Sequence, residues 1–242
     1  MAQFKQVIAP NSPAAVRLAL LAGFNADLTD ALYGFSIALH MIESNESSEQ
    51  NLARRLVSDA TIAYVRCFSR SNVRPNLDTI IAVPDGYADA HRTLKRLRNS
   101  TVAHSESTLT PSYAVVSLER DETTGKVWAT EALAMTVHFS FSAEVIRLFH
   151  DLVKAVKARL LVEIESAKGL LVTELNTKGE IVALWAEGVL PQIAPIAMEE
   201  WDVDSRRASY PDSHVIPVVA APVRTFLAPS SGDDFEGEAD AI

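Results

Sequence analysis

Apolar residues recur at intervals of three and four along most of the first 190 positions, and the pattern breaks where prolines and polar clusters fall. Ser12-Pro13 opens the first such stretch, with a capping hydroxyl followed by proline at the first helical position. It reads as helix to Ile42, with a break expected near Gly23-Phe24-Asn25. "ESNESSEQN" is a polar connection. A second helix is predicted from about Glu49 to Ser69 on the stripe Leu52, Leu56, Ala60, Ala63, Cys67. "SRSNVRPN" ends it, because Pro75 and the residue before it resist helix. A third helix starts near Pro84-Asp85 and puts Leu94, Leu97, Thr101 and His104 on one stripe, until "SESTLTP" stops it.

Residues 112–139 change period. "YAVVSLER" and "KVWATEALAMTVHF" flank "DETTG", the pattern of a β-hairpin with a glycine-containing loop. Ser142 then caps a long helix with Glu144 in its first turn and the stripe Val145, Phe149, Leu152, Val156, Leu160, running to about Leu175. A short apolar helix is expected from Glu180 to Ala186. The fold class predicted is mainly α: an antiparallel bundle of four or more long helices over residues 1–190, one β-hairpin inserted at 112–139, and an irregular tail over 191–242.

Charge modifies this picture at the tail. The net charge of −9 argues against a nucleic-acid partner at first sight. From Pro191 onward there are ten acids and three bases, so the tail carries −7 and residues 1–190 only −2. The tail also holds six of the eleven prolines, and it is read as partly packed at "SHVIPVVAAPV" and disordered after Ser230. A nearly neutral body leaves room for local basic patches, of which "HRTLKRLR" (91–98) is one. The acidic tail then has two readings: a solubilising end, or a tethered segment that folds back over this basic patch.

Cys67 is the one cysteine, which excludes a disulfide framework within the chain and suggests a reducing compartment; in an apolar helical pattern it reads as a core residue. The N-terminus has no basic start followed by an apolar core. The uninterrupted apolar piece 31–39 is far shorter than the ~20 residues of a membrane span, so the expectation is a cytoplasmic protein without a membrane partner. The histidines His40, His91, His138, His150 and His214 show no ligand spacing, and neither a metal site nor a cofactor is expected. There is no glycine-rich phosphate loop and no "GxSxG".

The candidate chemistry lies in "RLRNSTVAHSES" (96–107). Arg98 and His104 are six positions apart, ~9 Å along a helix axis and about 120° around it, so both could flank one groove. Arg98, Asn99, "STVA", then His104 resembles the signature of the HEPN superfamily of helical-bundle proteins. "YVRCFSRSNVRP" (64–75) followed by "LKRLRNSTVAHSES" (94–107) is similar to the HEPN proteins linked to bacterial abortive infection, with their "ARCF" helix end, basic loop and "LRNxxxAHS" helix. The resemblance covers about residues 15–170.

That resemblance implies a homodimer with both motifs facing one cleft. In active members the cleft is a metal-independent endoribonuclease site, with RNA as substrate and, for a toxin, an antitoxin protein as a further partner. His104 would then be the acid/base, Arg98 the phosphate clamp and Asn99 an orienting group, with Lys95 and Ser105 binding substrate. Histidine titrates in the required range, and a planar guanidinium matches phosphate oxygens in pairs. The plainer alternatives are an Arg98 paired with Glu106 or Asp85, a hydrogen-bonded core histidine at 104, a catalytically silent dimeric binding module for a partner protein or nucleotide, and a helical structural protein whose motif is coincidental.

Overall fold

The computed structural model describes residues 3–44, 47–69, 74–99, 109–179 and 181–189. Five α-helices and one antiparallel pair of strands make up these residues: α1 (Pro13–Ser44), α2 (Ser47–Arg66), α3 (Ala88–Leu97), β1 (Ser112–Arg120), β2 (Val127–Thr136), α4 (Ala143–Lys178) and α5 (Ile181–Glu187). The expectations placed on Thr101, His104, Ser105 and the whole 191–242 tail lie outside the described residues. Among the described residues no helix is long and apolar enough to cross a membrane.

The helices run up, down, up, down. Gly34 of α1 meets Ala60 of α2, and Asp27 meets Arg66, so those two are antiparallel. Arg17 pairs with Glu163 and Glu43 with Arg147, so α1 and α4 are antiparallel as well. α1 packs against α2 and α4, and α3 packs across the same two helices from the other side. Between them lie Phe24, Phe35, Tyr64, Leu94, Phe149 and Leu152, all fully buried. Each such side chain contributes about 1.5–3 kcal/mol relative to exposure.

The helix ends follow local chemistry. The Ala15 N–H donates to Ser12 Oγ at 3.2 Å, as the Ser-Pro start predicts. α4 begins after Ser142 and ends at Gly179, whose φ of 72° is the left-handed conformation that closes a helix cheaply only with glycine.

Several expectations are corrected. α1 is continuous through Gly23-Phe24-Asn25: Phe24 is fully buried, and packing outweighs the local weakness of one glycine. α1 runs to Ser44 and α2 starts at Ser47, both inside the stretch expected to be a polar connection. Ala60, Ala63 and Cys67 of the expected α2 stripe are buried, whereas in the first half of the helix Ala53 and Val57 face the core and Leu52 is 46% exposed. The reason is that α2 is flanked by both α1 and α3, which buries a broad arc rather than one stripe. Among the described residues α3 has 10 residues against 32 in α1 and 36 in α4, and the positions expected to extend it to His104 lie outside them.

The hairpin is close to expectation. Its strands pair from Ser112↔Thr136 to Arg120↔Val127 with an irregularity between Ser117 and Leu118. Asp121 Oδ1 accepts the N–H groups of Thr123 and Thr124 and the chain turns through Gly125 at φ 71°. Every residue of β2 is exposed, so the hairpin stands off the bundle. At the opposite end, α2 finishes level with Phe24, and α1 before that point lies beside α4 beyond Leu160, burying Ala15, Leu21, Ile164, Ala167 and Leu171.

Candidate functional site

α3 carries the sequence-predicted residues that the structure describes. A short 3-10 turn, Asp85–Tyr87, leads into it, and Ala90, Leu94 and Leu97 bury one face. Asp89 lies in its first turn and Lys95 and Arg96 in its last, each on the side favoured by the helix dipole. The Arg98 N–H donates to the carbonyls of Leu94 and Lys95. Arg98 and Asn99 then continue in a wider, π-type turn, a local geometry frequent at functional sites.

Lys95, Arg98 and Asn99 are thus brought together. Arg98 Nη1 donates to Asn99 Oδ1 at 3.2 Å, and both side chains are exposed. Among the described residues Arg98 has no carboxylate partner. The Asp85 alternative is excluded by geometry: Asp85 opens the helix that Arg98 closes, about 20 Å away at helical rise. Glu106, His104 and Ser105 lie outside the described residues, and so does any distance from them to Arg98.

One residue of this face escaped sequence reasoning. His91 stands four positions before Lys95 and seven before Arg98, the spacing of one helical row. Its Nδ1 lies 2.8 Å from the hydroxyl of Tyr64 on α2. The ring meets Phe68 edge-on at 4.7 Å and Tyr64 at 5.8 Å. Burial holds His91 below its ordinary value of 6.5; Lys95 and Arg92 act the same way and Asp78 opposes them. The neutral form of His91 is thereby favoured. The helical spacing to Lys95 and Arg98 was the available signal, and a search for metal-ligand spacing passes over it.

The "YVRCFSRSNVRP" stretch does something different. Asp27, nearly buried on α1, is bonded by Arg66 at 2.7 Å and by Arg74. The Arg74 guanidinium also sits 4.6 Å above the Phe24 ring. Cys67 is fully buried beside this cluster, and burial, reinforced by Asp27, pushes its thiol up to about 12. The cysteine is a core residue, as expected. Asp27 and its two arginines fasten the end of α2 to α1 and leave no side chain of that cluster presented as a nucleophile.

A cavity of about 40 Å³ lies under the end of α3, bounded by Ile42, Arg54, Val57, Leu97, Leu109 and Phe141. The Nε of Arg54 on its wall has no hydrogen-bond partner among the described residues. A larger depression of about 370 Å³ on the outer face of α1 and α2, between Tyr33, Gly34, Asp59 and Arg66, includes no residue of α3. Among the described residues no group of three or more His, Cys, Asp or Glu could hold a metal ion.

No protein-family model, no curated protein and no solved structure matches this chain.

Proposed function

We propose that the chain is a metal-independent endoribonuclease of the HEPN type, working as a toxin or phage-defence effector from a composite site across a homodimer. The observation that carries the reading is the end of α3: an exposed Arg98, with no carboxylate partner among the described residues, followed by Asn99 in a π-type turn of an antiparallel helical bundle. A guanidinium with no carboxylate partner among the described residues is suited to a phosphate.

The chemistry follows from the residues. The 2′-oxygen of a ribose attacks the adjacent phosphorus, its proton passes to a base, and the bond to the 5′-oxygen breaks as that oxygen receives a proton. His104 of one or both copies moves these protons. Arg98 binds the phosphate oxygens in a forked pair as negative charge accumulates. Asn99 orients the Arg98 guanidinium. Lys95 and Ser105 hold the flanking backbone.

The test is cleavage of single-stranded RNA by the purified full chain in EDTA, with Arg98→Ala and His104→Ala alongside. Each variant is expected to lose ~10²–10⁴-fold in rate at unchanged fold. Cleavage by both variants at the natural rate, or loss of cleavage in EDTA, rejects the reading.

A second reading, a catalytically silent dimer that binds a partner protein, is favoured by the hairpin. Tyr113, Leu118, Leu133 and Met135 are all roughly half exposed or more on a sheet that nothing described covers. Growth arrest on induced expression that His104→Ala abolishes favours the nuclease; arrest unaffected by that change favours the binding module.

A further inference from the structure

We infer that His91 is a third phosphate-binding residue of the α3 row, acting with Lys95 and Arg98 as a neutral hydrogen-bond donor to the RNA backbone. This rests on the nuclease reading and adds a residue to its site.

The Tyr64 hydroxyl is fully buried, and His91 Nδ1 at 2.8 Å is its hydrogen-bond partner among the described residues. A phenol carries one proton, and burial drives its acidity well below the ordinary level, so the proton stays on oxygen. That proton needs an acceptor, and the acceptor within reach is Nδ1. A ring nitrogen that accepts carries no hydrogen, so the hydrogen of neutral His91 is on Nε2. Tyr64 thereby fixes the tautomer.

Nε2 lies on the far side of the ring from Nδ1, and His91 is only partly buried. The row His91, Lys95, Arg98 spans about 60° of the helix surface, with axial steps of roughly 6 and 4.5 Å. The core row Ala90, Leu94, Leu97 lies one residue, about 100°, to one side. The three polar side chains therefore follow one line along α3 without competing with the core. An N–H donor, an ammonium and a guanidinium in sequence suit consecutive phosphodiester oxygens.

The same geometry decides which role His91 does not take. Nδ1 is occupied by the phenol and Nε2 is protonated, so the neutral ring has no free lone pair with which to act as a base. A neutral imidazole N–H is also far too weak an acid to protonate a leaving oxygen. His91 donates a hydrogen bond and stays neutral, and proton transfer is left to other groups.

The experiment measures binding of a fluorescein-labelled 2′-O-methyl oligouridylate, which lacks the attacking hydroxyl, to the full chain over a salt series. Lys95→Ala and Arg98→Ala are expected to weaken binding and to flatten the plot of log affinity against log salt by about 0.7 each, one released counterion per lost phosphate contact. His91→Asn, which keeps an acceptor for Tyr64 and loses the outer donor, is expected to weaken binding about tenfold with the salt slope unchanged. His91→Gln, which reaches the Nε2 position, is expected to stay within about threefold of the natural chain. Independently of any substitution, nitrogen-15 NMR of the natural chain at pH 7 is expected to show hydrogen on Nε2 of His91, and that signal to move when the oligonucleotide is added.

Binding by His91→Asn equal to the natural chain, a slope that falls with it, or a hydrogen on Nδ1 each overturns the role of His91 while RNA cleavage by the natural chain would still stand. No cleavage and no salt-dependent binding by the natural chain removes both.

Discussion

The hydroxyl of Tyr64 on α2 and Nδ1 of His91 on α3 lie 2.8 Å apart and tie the two helices together at the edge of the core. Losing the hydroxyl leaves a half-buried ring nitrogen without its partner. Tyr64→Phe is expected to cost about 1–2 kcal/mol in urea unfolding, more than a solvated tyrosine hydroxyl would.

Asp27 holds two arginines from outside its own helix. Replacing it by alanine strands the Arg74 guanidinium, which is 16% exposed, against Phe24. Breaking a buried pair from one side costs about 3–5 kcal/mol; the more exposed Arg66 lowers the expectation for Asp27→Ala to about 3. Equilibrium unfolding checks it, and a loss below about 1 kcal/mol would mean that the cluster is solvated.

At Gly34 α1 and α2 approach closely. A methyl group there would meet the Ala60 Cβ at 2.9 Å and the Leu56 carbonyl at 3.3 Å. Overpacking costs about 1–3 kcal/mol, against a gain of about 1 in helix propensity. Gly34→Ala is therefore expected to destabilise by about 1 kcal/mol, and adding Ala60→Gly should recover the packing part of that loss.

Two buried acids set the response to alkali. Burial raises the Cys67 thiol to about 12 from an ordinary 9.0, and it raises the Tyr64 phenol further. Above pH ~9 the unfolded chain releases these protons and the folded chain keeps them. The unfolded state then binds fewer protons, so stability is complete below pH ~9 and falls as pH rises towards 12. Urea midpoints across that range should drop. At pH 8 a thiol reagent should modify Cys67 no faster than the chain unfolds.

Replacing residues 112–136 by a short Gly-Ser linker is expected to leave the helical circular dichroism intact and the unfolding midpoint nearly unchanged. All of β2 and most of β1 are exposed, so the bundle gains little from the hairpin. A collapsed midpoint would show that the sheet supports the core.

Much of the architecture could be read from spacing because it is local. The Ser12 cap, the hairpin turn at Gly125 and the α4 stripe through Phe149 and Leu160 depend on residues a few positions apart. What escaped is long-range. Asp27 reads as a polar interruption of an apolar stretch, because its satisfaction comes from Arg66 and Arg74, the latter 47 positions away. Leu52 and Ala53 exchange their expected environments because the arc buried on α2 depends on a third helix that packs there. In the candidate site, the exposed Arg98–Asn99 end was visible as a motif, whereas His91 needed Tyr64, 27 positions earlier, to give its ring a defined state.

The unequal helix lengths make stability uneven along the long axis. Around Phe35 and Tyr64 an amide opens only if several packed elements separate together. Beyond Phe24 and Leu160 α1 packs on α4, with Lys5 and Ile8 bonded to Trp185 and Val189 past that end, and Val162, Leu170 and Val172 are exposed on the segment. Amides of residues 13–23 and 163–178 should exchange with solvent by a partial opening that leaves the rest folded. The end of α3 lies towards the opposite pole, where Leu97 shares a cavity wall with Ile42 and Ile146. Loosening one end of this chain is thereby thermodynamically separable from the other, and the residues from His91 to Asn99 stay in place while the far pair of helices frays.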